Sequence, residues 1–308
     1  MFNLFQKTIS KKIEFKGTGL HSGLESVVKI LPADVNRGIV FERIDLEQNN
    51  IIKACFENVS SAKLCTTIKN NFNVSVSTVE HLLAALYMTG IDNAVIEIDA
   101  LEIPIMDGSS KEFVETILEA GVKDQSAKRK YLKVLKNFEL KENEKFISIA
   151  PNKNSLNVDF QLVYSNKVIG NQRNHIDFSD KDLSSVYTSR TFCLYEDVEK
   201  IKKIGLAKGG SLDNAIVVKN NEILNSTGLR NKKEFVNHKI LDLAGDFLLS
   251  GYRILGRVTC VQGGHSLSNL FLRAFLKDKS NYSVIEAEES KTIKSYFKTP
   301  ISKLAVNA

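Results

Sequence analysis

The segment EFVNHKILDLAGDFLLSG, residues 234–251, constrains the fold more than any other stretch. At about a hundred degrees per residue, His238, Asp242 and Asp246 fall within about eighty degrees of one another. The opposite arc holds Val236, Ile240, Leu243, Ala244, Phe247 and Leu248. A surface helix would spread mixed Lys and Glu over a broad polar face. This one is apolar around most of its girth and so belongs in the interior. A narrow polar stripe there is costly unless it faces a partner. Gly245, beside the stripe, leaves room for another group to come close. The segment reads as a wall of a site.

The rest of the chain divides at KDQSAKRK, residues 123–130, a charged patch after the helix-like KEFVETILEAG. Before it come short β-like runs (KTISKKIEFKG, SVVKILPAD, GIVFERI), a helix at TVEHLLAALYMTG, a strand at NAVIEIDA and a helix at SSKEFVETILEAG. After it β-like runs return (YLKVLKNFEL, EKFISIAP, LNVDFQLVY), followed by the 234–251 helix, the strand YRILGRVTCVQ and the helix HSLSNLFLRAFLKD. Gly90 and Gly251 sit where a helix C-terminus favours a left-handed residue. The order strands, helix, glycine turn, strand, helix thus occurs twice, as a pattern without residue-for-residue alignment. It predicts an α+β fold of two similar sandwich domains, residues 1–126 and 127–308, each a mainly antiparallel sheet covered by two helices. The second is longer, and residues 190–218 read as an inserted strand–helix–strand with Val198, Ile201 and Leu206 on the helix.

Composition narrows the function. A net charge of +6 over 308 residues comes with only short basic runs such as Lys128-Arg129-Lys130, which argues against nucleic-acid binding. Cys55, Cys65, Cys193 and Cys260 form no Cys-x-x-Cys pair and suit a reducing cytoplasm. No run approaches the roughly twenty apolar residues of a membrane span, and MFNLFQKTISKK lacks a signal-peptide core. The expectation is a cytoplasmic protein that still accommodates a lipid-like substrate, with no protein partner implied.

Single residues permit bland readings. Ser77-x-x-Glu80 matches a capping box, His81 alone reads as a core histidine, and His238-x-x-x-Asp242 as a helical pair. The conjunction changes that. Of five histidines, two lie on the corresponding helices of the two halves, each beside a carboxylate. His81, His238 and Asp242 give two imidazoles and a carboxylate, the usual set for a catalytic zinc with an open fourth position. Glu80, adjacent but directed elsewhere, is then a candidate base. His265, after Gly263-Gly264 at a helix start, reads either as a helix-opening surface residue or as an imidazolium needing a carboxylate, for which Asp246 is the candidate. The same donors describe a non-haem iron(II) oxygenase, and a metal-stabilised binding module with no chemistry is a third reading.

The motifs STVEHLLAALYMTGIDN, IPIMDGSS, SRTF, KGGSLDNAIVV, NSTGLR, HKILDLAGD and GGH, together with GTGLHSG near the start, resemble the zinc-dependent UDP-3-O-acyl-N-acetylglucosamine deacetylase family of lipid A biosynthesis, in family order over nearly the whole chain. The resemblance implies one Zn2+ per chain on His81, His238 and Asp242, ligands that Fe2+ also fits. It implies Glu80 as base, His265 as the acid that protonates the amine, and Asp246 holding His265 charged. Thr191 would aid the oxyanion, while Lys239 and Phe192 would contact the acylated UDP-glucosamine substrate. Residues 190–218 correspond to a passage for the acyl chain. Lys63, Leu194 and Ser268 depart from the family pattern without touching an implied ligand. No role is assigned to His21 or to residues 150–188.

Overall fold

In the computed structural model, which describes residues 3–288, the segment Glu25–Pro32 buries Ser26, Val28 and Ile30 in alternation. A strand with one covered face requires that pattern. Residues 1–2 and 289–308, the outer ends of the two expected domains, lie outside the described residues. Glu25–Pro32 belongs to a five-stranded sheet ordered Ile13–Thr18, Glu25–Pro32, Ala94–Ile98, Ile39–Arg43, Ile51–Lys53. Every pairing in it is antiparallel except that of Ala94–Ile98 with Ile39–Arg43. Helices α1 (Glu80–Thr89) and α2 (Lys111–Ala120) accompany this sheet.

The C-terminal half adds α3 (Ser184–Tyr187), α4 (Tyr195–Lys203), α5 (Glu234–Leu248) and α6 (His265–Lys277). Its seven-stranded sheet is organised by the long strand Arg253–Val261. That strand pairs in parallel with Lys130–Val134 and Leu156–Val163, and antiparallel with Lys145–Pro151. The α+β sandwich expected from the repeated pattern is the architecture found, and one apolar core runs through both halves.

Several local expectations changed. The charged patch after residue 122 is no loose break: Val122–Lys128 is a strand, antiparallel to Phe5–Ile9. Its charges project to solvent from a ribbon with one wet face, which is why composition alone disguised it. Arg129 is buried at 1% exposure and donates to Asp92 Oδ2 at 2.7 Å and to the Gly90 carbonyl at 2.7 Å, so a residue from a basic run caps the end of α1. YLKVLKNFEL is two strands, Lys130–Val134 and Phe138–Glu142. A three-stranded sheet of Val59–Ser61, Thr67–Lys69 and Ser75–Val76 had no sequence signal. The insert is strand–helix–strand, with Phe192–Leu194 parallel to Ile216–Lys219 across α4, but α4 stops at Lys203 and leaves Leu206 beyond its end. Gly90 and Gly251 have φ of 83° and 80°, the left-handed values their positions require.

Every residue of α5 except Lys239 is buried. Its closest helical partner is α1. A Cβ on Gly245 would collide with the Glu80 carbonyl oxygen and lie 3.1 Å from the Ala84 amide nitrogen, so the backbone of α1 fills the space the glycine leaves. The two polar faces are thereby pressed together.

Candidate metal centre and active site

The first turn of α1 is aimed by a strained residue. Thr78 has φ of 57°, a value that a β-branched side chain rarely adopts. The buried carboxylate of Glu102 holds it: Oε1 accepts from Thr78 Oγ1 at 2.8 Å and from the His21 amide at 2.9 Å, and Oε2 accepts from the Ser22 amide at 2.7 Å. One side chain thus ties GTGLHSG to the start of α1. The capping box that the Ser77-x-x-Glu80 spacing permits does not form, because Glu80 is the first residue of α1 and the box needs its acid at the third. Ser77 Oγ donates to the Leu101 carbonyl at 3.2 Å, and Glu80 Oε2 accepts from the Thr66 amide at 3.0 Å. Oε1 of Glu80 is left facing the site.

On α5, the His238 Nδ1–H donates to the Ser189 carbonyl at 3.1 Å, since a carbonyl can only accept. Nε2 then carries the lone pair, 3.4 Å from Asp242 Oδ1. His81 Nε2 lies 3.5 Å from that same oxygen, and the two rings meet edge to face with centroids 5.0 Å apart. Burial pushes the His238 pKa down to about 3, so this imidazole is neutral. Burial favours the neutral acid at Asp242, but the charges of Lys239 and His265 oppose it, and the Asp242 pKa stays well below the usual carboxylate range.

Two ring nitrogens therefore crowd a buried, ionised carboxylate oxygen that has no hydrogen-bond partner among the described residues. Such an arrangement calls for a cation. One donor atom from each of His81, His238 and Asp242 lies within 4.8 Å of the others. Tetrahedral donors about 2.1 Å from a common ion stand about 3.4 Å apart, which matches the two contacts to Asp242. These three residues fit a divalent metal.

Asp242 Oδ2 turns the other way and accepts from Lys239 Nζ at 2.7 Å. Burial disfavours the Lys239 charge, but Asp242 reverses this and raises its pKa. Lys239 Nζ stands 5.9 Å from the centre of the Phe192 ring. His265 opens α6 with Nδ1 2.9 Å from Asp246 Oδ2 and Nε2 3.6 Å from Glu80 Oε1. Burial would lower the His265 pKa, yet Asp246, Glu80 and Asp242 together push it up to about 10. Burial raises the Glu80 pKa despite the nearby histidines. A raised carboxyl and a charged imidazole thus face each other beside the three donors.

All of these groups except Asp246 line a cavity of about 550 Å3, which Thr191 and Phe192 also border. An adjoining apolar cavity of about 350 Å3 runs beneath the insert, past Val198, Ile201, Leu212 and Val217. Leu20, His21 and Leu64 border both.

The LpxC family, described as UDP-3-O-acyl N-acetylglycosamine deacetylase, matches residues 6–277. The chain belongs to this family. The deacetylase family includes similar proteins from Shewanella sp. (strain W3-18-1), 39% identical over 300 residues, and Shewanella baltica (strain OS155), 40% identical over 303 residues. Each alignment covers 96% of this chain and 98% of the relative, and both relatives are named UDP-3-O-acyl-N-acetylglucosamine deacetylase. The deacetylase family is metal-dependent, in keeping with the donor set. No helix among the described residues is long and apolar enough to cross a membrane.

Sequence reasoning missed two members of this deacetylase site. Thr66 joins Glu80 to the carboxylate behind His265, its amide donating to Glu80 and its hydroxyl to Asp246 Oδ1 at 2.7 Å. Glu102 locks Thr78. Neither shows a local pattern, since each acts through contacts distant in sequence. The family motifs IPIMDG and NSTGLR also meet, through Arg230 Nη2 and Asp107 Oδ2 at 2.8 Å.

Proposed function

We propose that the chain is a zinc-dependent amidohydrolase that removes the N-acetyl group of UDP-3-O-acyl-N-acetylglucosamine. The products are acetate and the free amine, at an early committed step of lipid A biosynthesis in the cytoplasm. Three buried metal donors beside the facing pair of Glu80 and His265 carry this reading. The expected domains, 1–126 and 127–308, would supply opposite walls: Glu80 and His81 from one, His238, Asp242 and His265 from the other.

His81, His238 and Asp242 would hold a divalent ion, which would supply Lewis acidity and make water there a stronger acid, with a pKa near 7 in place of about 16. Two His and one carboxylate favour zinc with an open position, although Fe2+ suits the same donors. Glu80 Oε1 accepts the proton released as water attacks the acetamide carbonyl. The Thr191 hydroxyl steadies the developing oxyanion, a donor typically worth roughly 3 kcal/mol. His265 Nε2 delivers a proton to the departing nitrogen, which cannot leave as an anion. Asp246 keeps that imidazole charged, and Thr66 fixes Asp246 and Glu80 relative to each other.

Lys239 and Phe192 would receive the nucleotide-sugar at the mouth of the larger cavity. The apolar cavity beneath residues 190–218 suits the acyl chain; an inert lipid-binding module would use it too, but would not need the facing pair of Glu80 and His265 beside the donors. Acetate release from the acylated nucleotide-sugar tests the reading, together with metal analysis. One metal per chain is expected, with rate losses of about 100- to 10,000-fold in Glu80→Gln. Full activity in metal-free protein, or acetate release untouched by Glu80→Gln, would overturn it.

A further inference from the structure

We propose that a second cavity, at the opposite ends of α1 and α5 from the metal donors, binds a small phosphate-bearing anion. It encloses about 450 Å3 and opens beside Asp92 and Asn93, past the end of α1, and Leu248, at the end of α5. Cavities of about 300–1,000 Å3 are the usual size for small-molecule sites. Helix α1 alone, at ten residues, spans about 15 Å, so this place is remote from Glu80 and His81. Among the described residues, none borders both this cavity and the one beside the metal donors.

The charge of its lining is lopsided. Arg37, Lys53, Lys130, Arg253 and Lys279 face two carboxylates, Glu57 and Asp92. Asp92 is already engaged, with Oδ2 accepting from Arg129 at 2.7 Å and from the Lys7 amide at 2.7 Å. Cations near helix C-termini are commonly explained by the exposed carbonyls there. At the end of α1, however, two guanidinium groups already serve that purpose: Arg129 donates to the Gly90 carbonyl and Arg253 to the Leu86 carbonyl. The side chains of Arg37, Lys53 and Lys130 make no hydrogen bond or salt bridge with any described residue.

Arg253 also lines the cavity, held by a 3.7 Å salt bridge from Nε to Asp92 Oδ1 and with its guanidinium carbon 4.6 Å from the centre of the Tyr87 ring. An oxyanion in the cavity would complement this cationic lining, and the surface lysines around the rim would give it charge-assisted bonds. Phe56 and Tyr252 border the cavity and give an apolar face for the organic part of a phosphate ester.

Equilibrium dialysis of the metal-loaded protein tests this, with inorganic pyrophosphate and adenosine monophosphate as the two probes. Lys239→Ala isolates the second cavity from the catalytic one, and Lys53→Glu with Lys130→Glu alters two exposed rim residues without touching the core. Saturable binding should persist in Lys239→Ala and weaken about tenfold or more in the double variant, with the affinity falling as salt is added. Tighter binding of adenosine monophosphate would mark a phosphate ester as the ligand; tighter binding of pyrophosphate would mark a free inorganic anion. Binding that vanishes in Lys239→Ala and survives in the double variant would overturn the proposal, as would no saturable binding of either probe.

Discussion

Gly245 of α5 and Glu80 of α1 touch backbone to backbone, with no room for a side chain between them. The contact sets how near His81 comes to His238 and Asp242. It also gives a substitution whose sign is informative. In an ordinary helix interior, Gly→Ala adds roughly 0.5–1 kcal/mol of stability. Here Gly245→Ala should instead destabilise by about 1–3 kcal/mol as the helices are forced apart, and the bound metal should fall in parallel. Urea denaturation and elemental analysis read the two effects. A variant that is more stable and fully loaded would show that the helices are not in contact there.

Thr66 makes two bonds that one substitution separates. Thr66→Val keeps the amide bond to Glu80 but loses the hydroxyl bond to Asp246. We expect kcat to fall about tenfold, the scale of one lost bond to a charged group, with KM little changed and Thr66→Ser restoring most of the rate. An equal loss in the Ser and Val variants would place the effect in packing.

The pH profile follows from His265. Its neighbours stabilise the charged ring, and they raise its pKa to about 10 against the pull of burial. The acid form therefore persists through neutral pH and is lost only as pH rises toward that value. Asp246→Asn removes the carboxylate bonded to Nδ1. The alkaline limb of kcat/KM should then move to lower pH, toward the ordinary histidine value near 6.5. A limb that stays in place would assign it to another group.

Metal removal should cost stability as well as activity. The donors surround an otherwise unsatisfied carboxylate oxygen, so an ion that binds only the folded chain stabilises it by about 2.7 kcal/mol at a hundredfold excess over Kd. Calorimetry with and without chelator should show a Tm lower by several degrees in the stripped protein. His238→Ala should abolish that difference. Identical melting curves for the loaded and stripped wild type would contradict a built metal site.

How much of this was legible depended on whether a residue's role was local. Helix α5 could be read because its apolar girth and the four-residue spacing of His238, Asp242 and Asp246 both lie within one segment. Glu80 and His81 became visible by comparison between the halves, and the bland capping reading of Glu80 failed because the helix starts two residues too late for it. Thr66 and Glu102 were silent because nothing near them in sequence announces a partner more than a dozen residues away. The strand Val122–Lys128 was hidden by charges that a half-exposed ribbon tolerates. Gly245 was legible as a gap, but not what filled it.

The donors come from residue 81 and from residues 238–242, two places far apart along the chain. During synthesis the first imidazole leaves the ribosome long before the rest of its set exists, and a single histidine does not hold an ion. An ion held by this set would be a late arrival, fitted to a chain whose two long helices have already met. A product cut short before α5 would carry the buried face of α1 uncovered, with no ion to hide it, and would be easy prey for a protease.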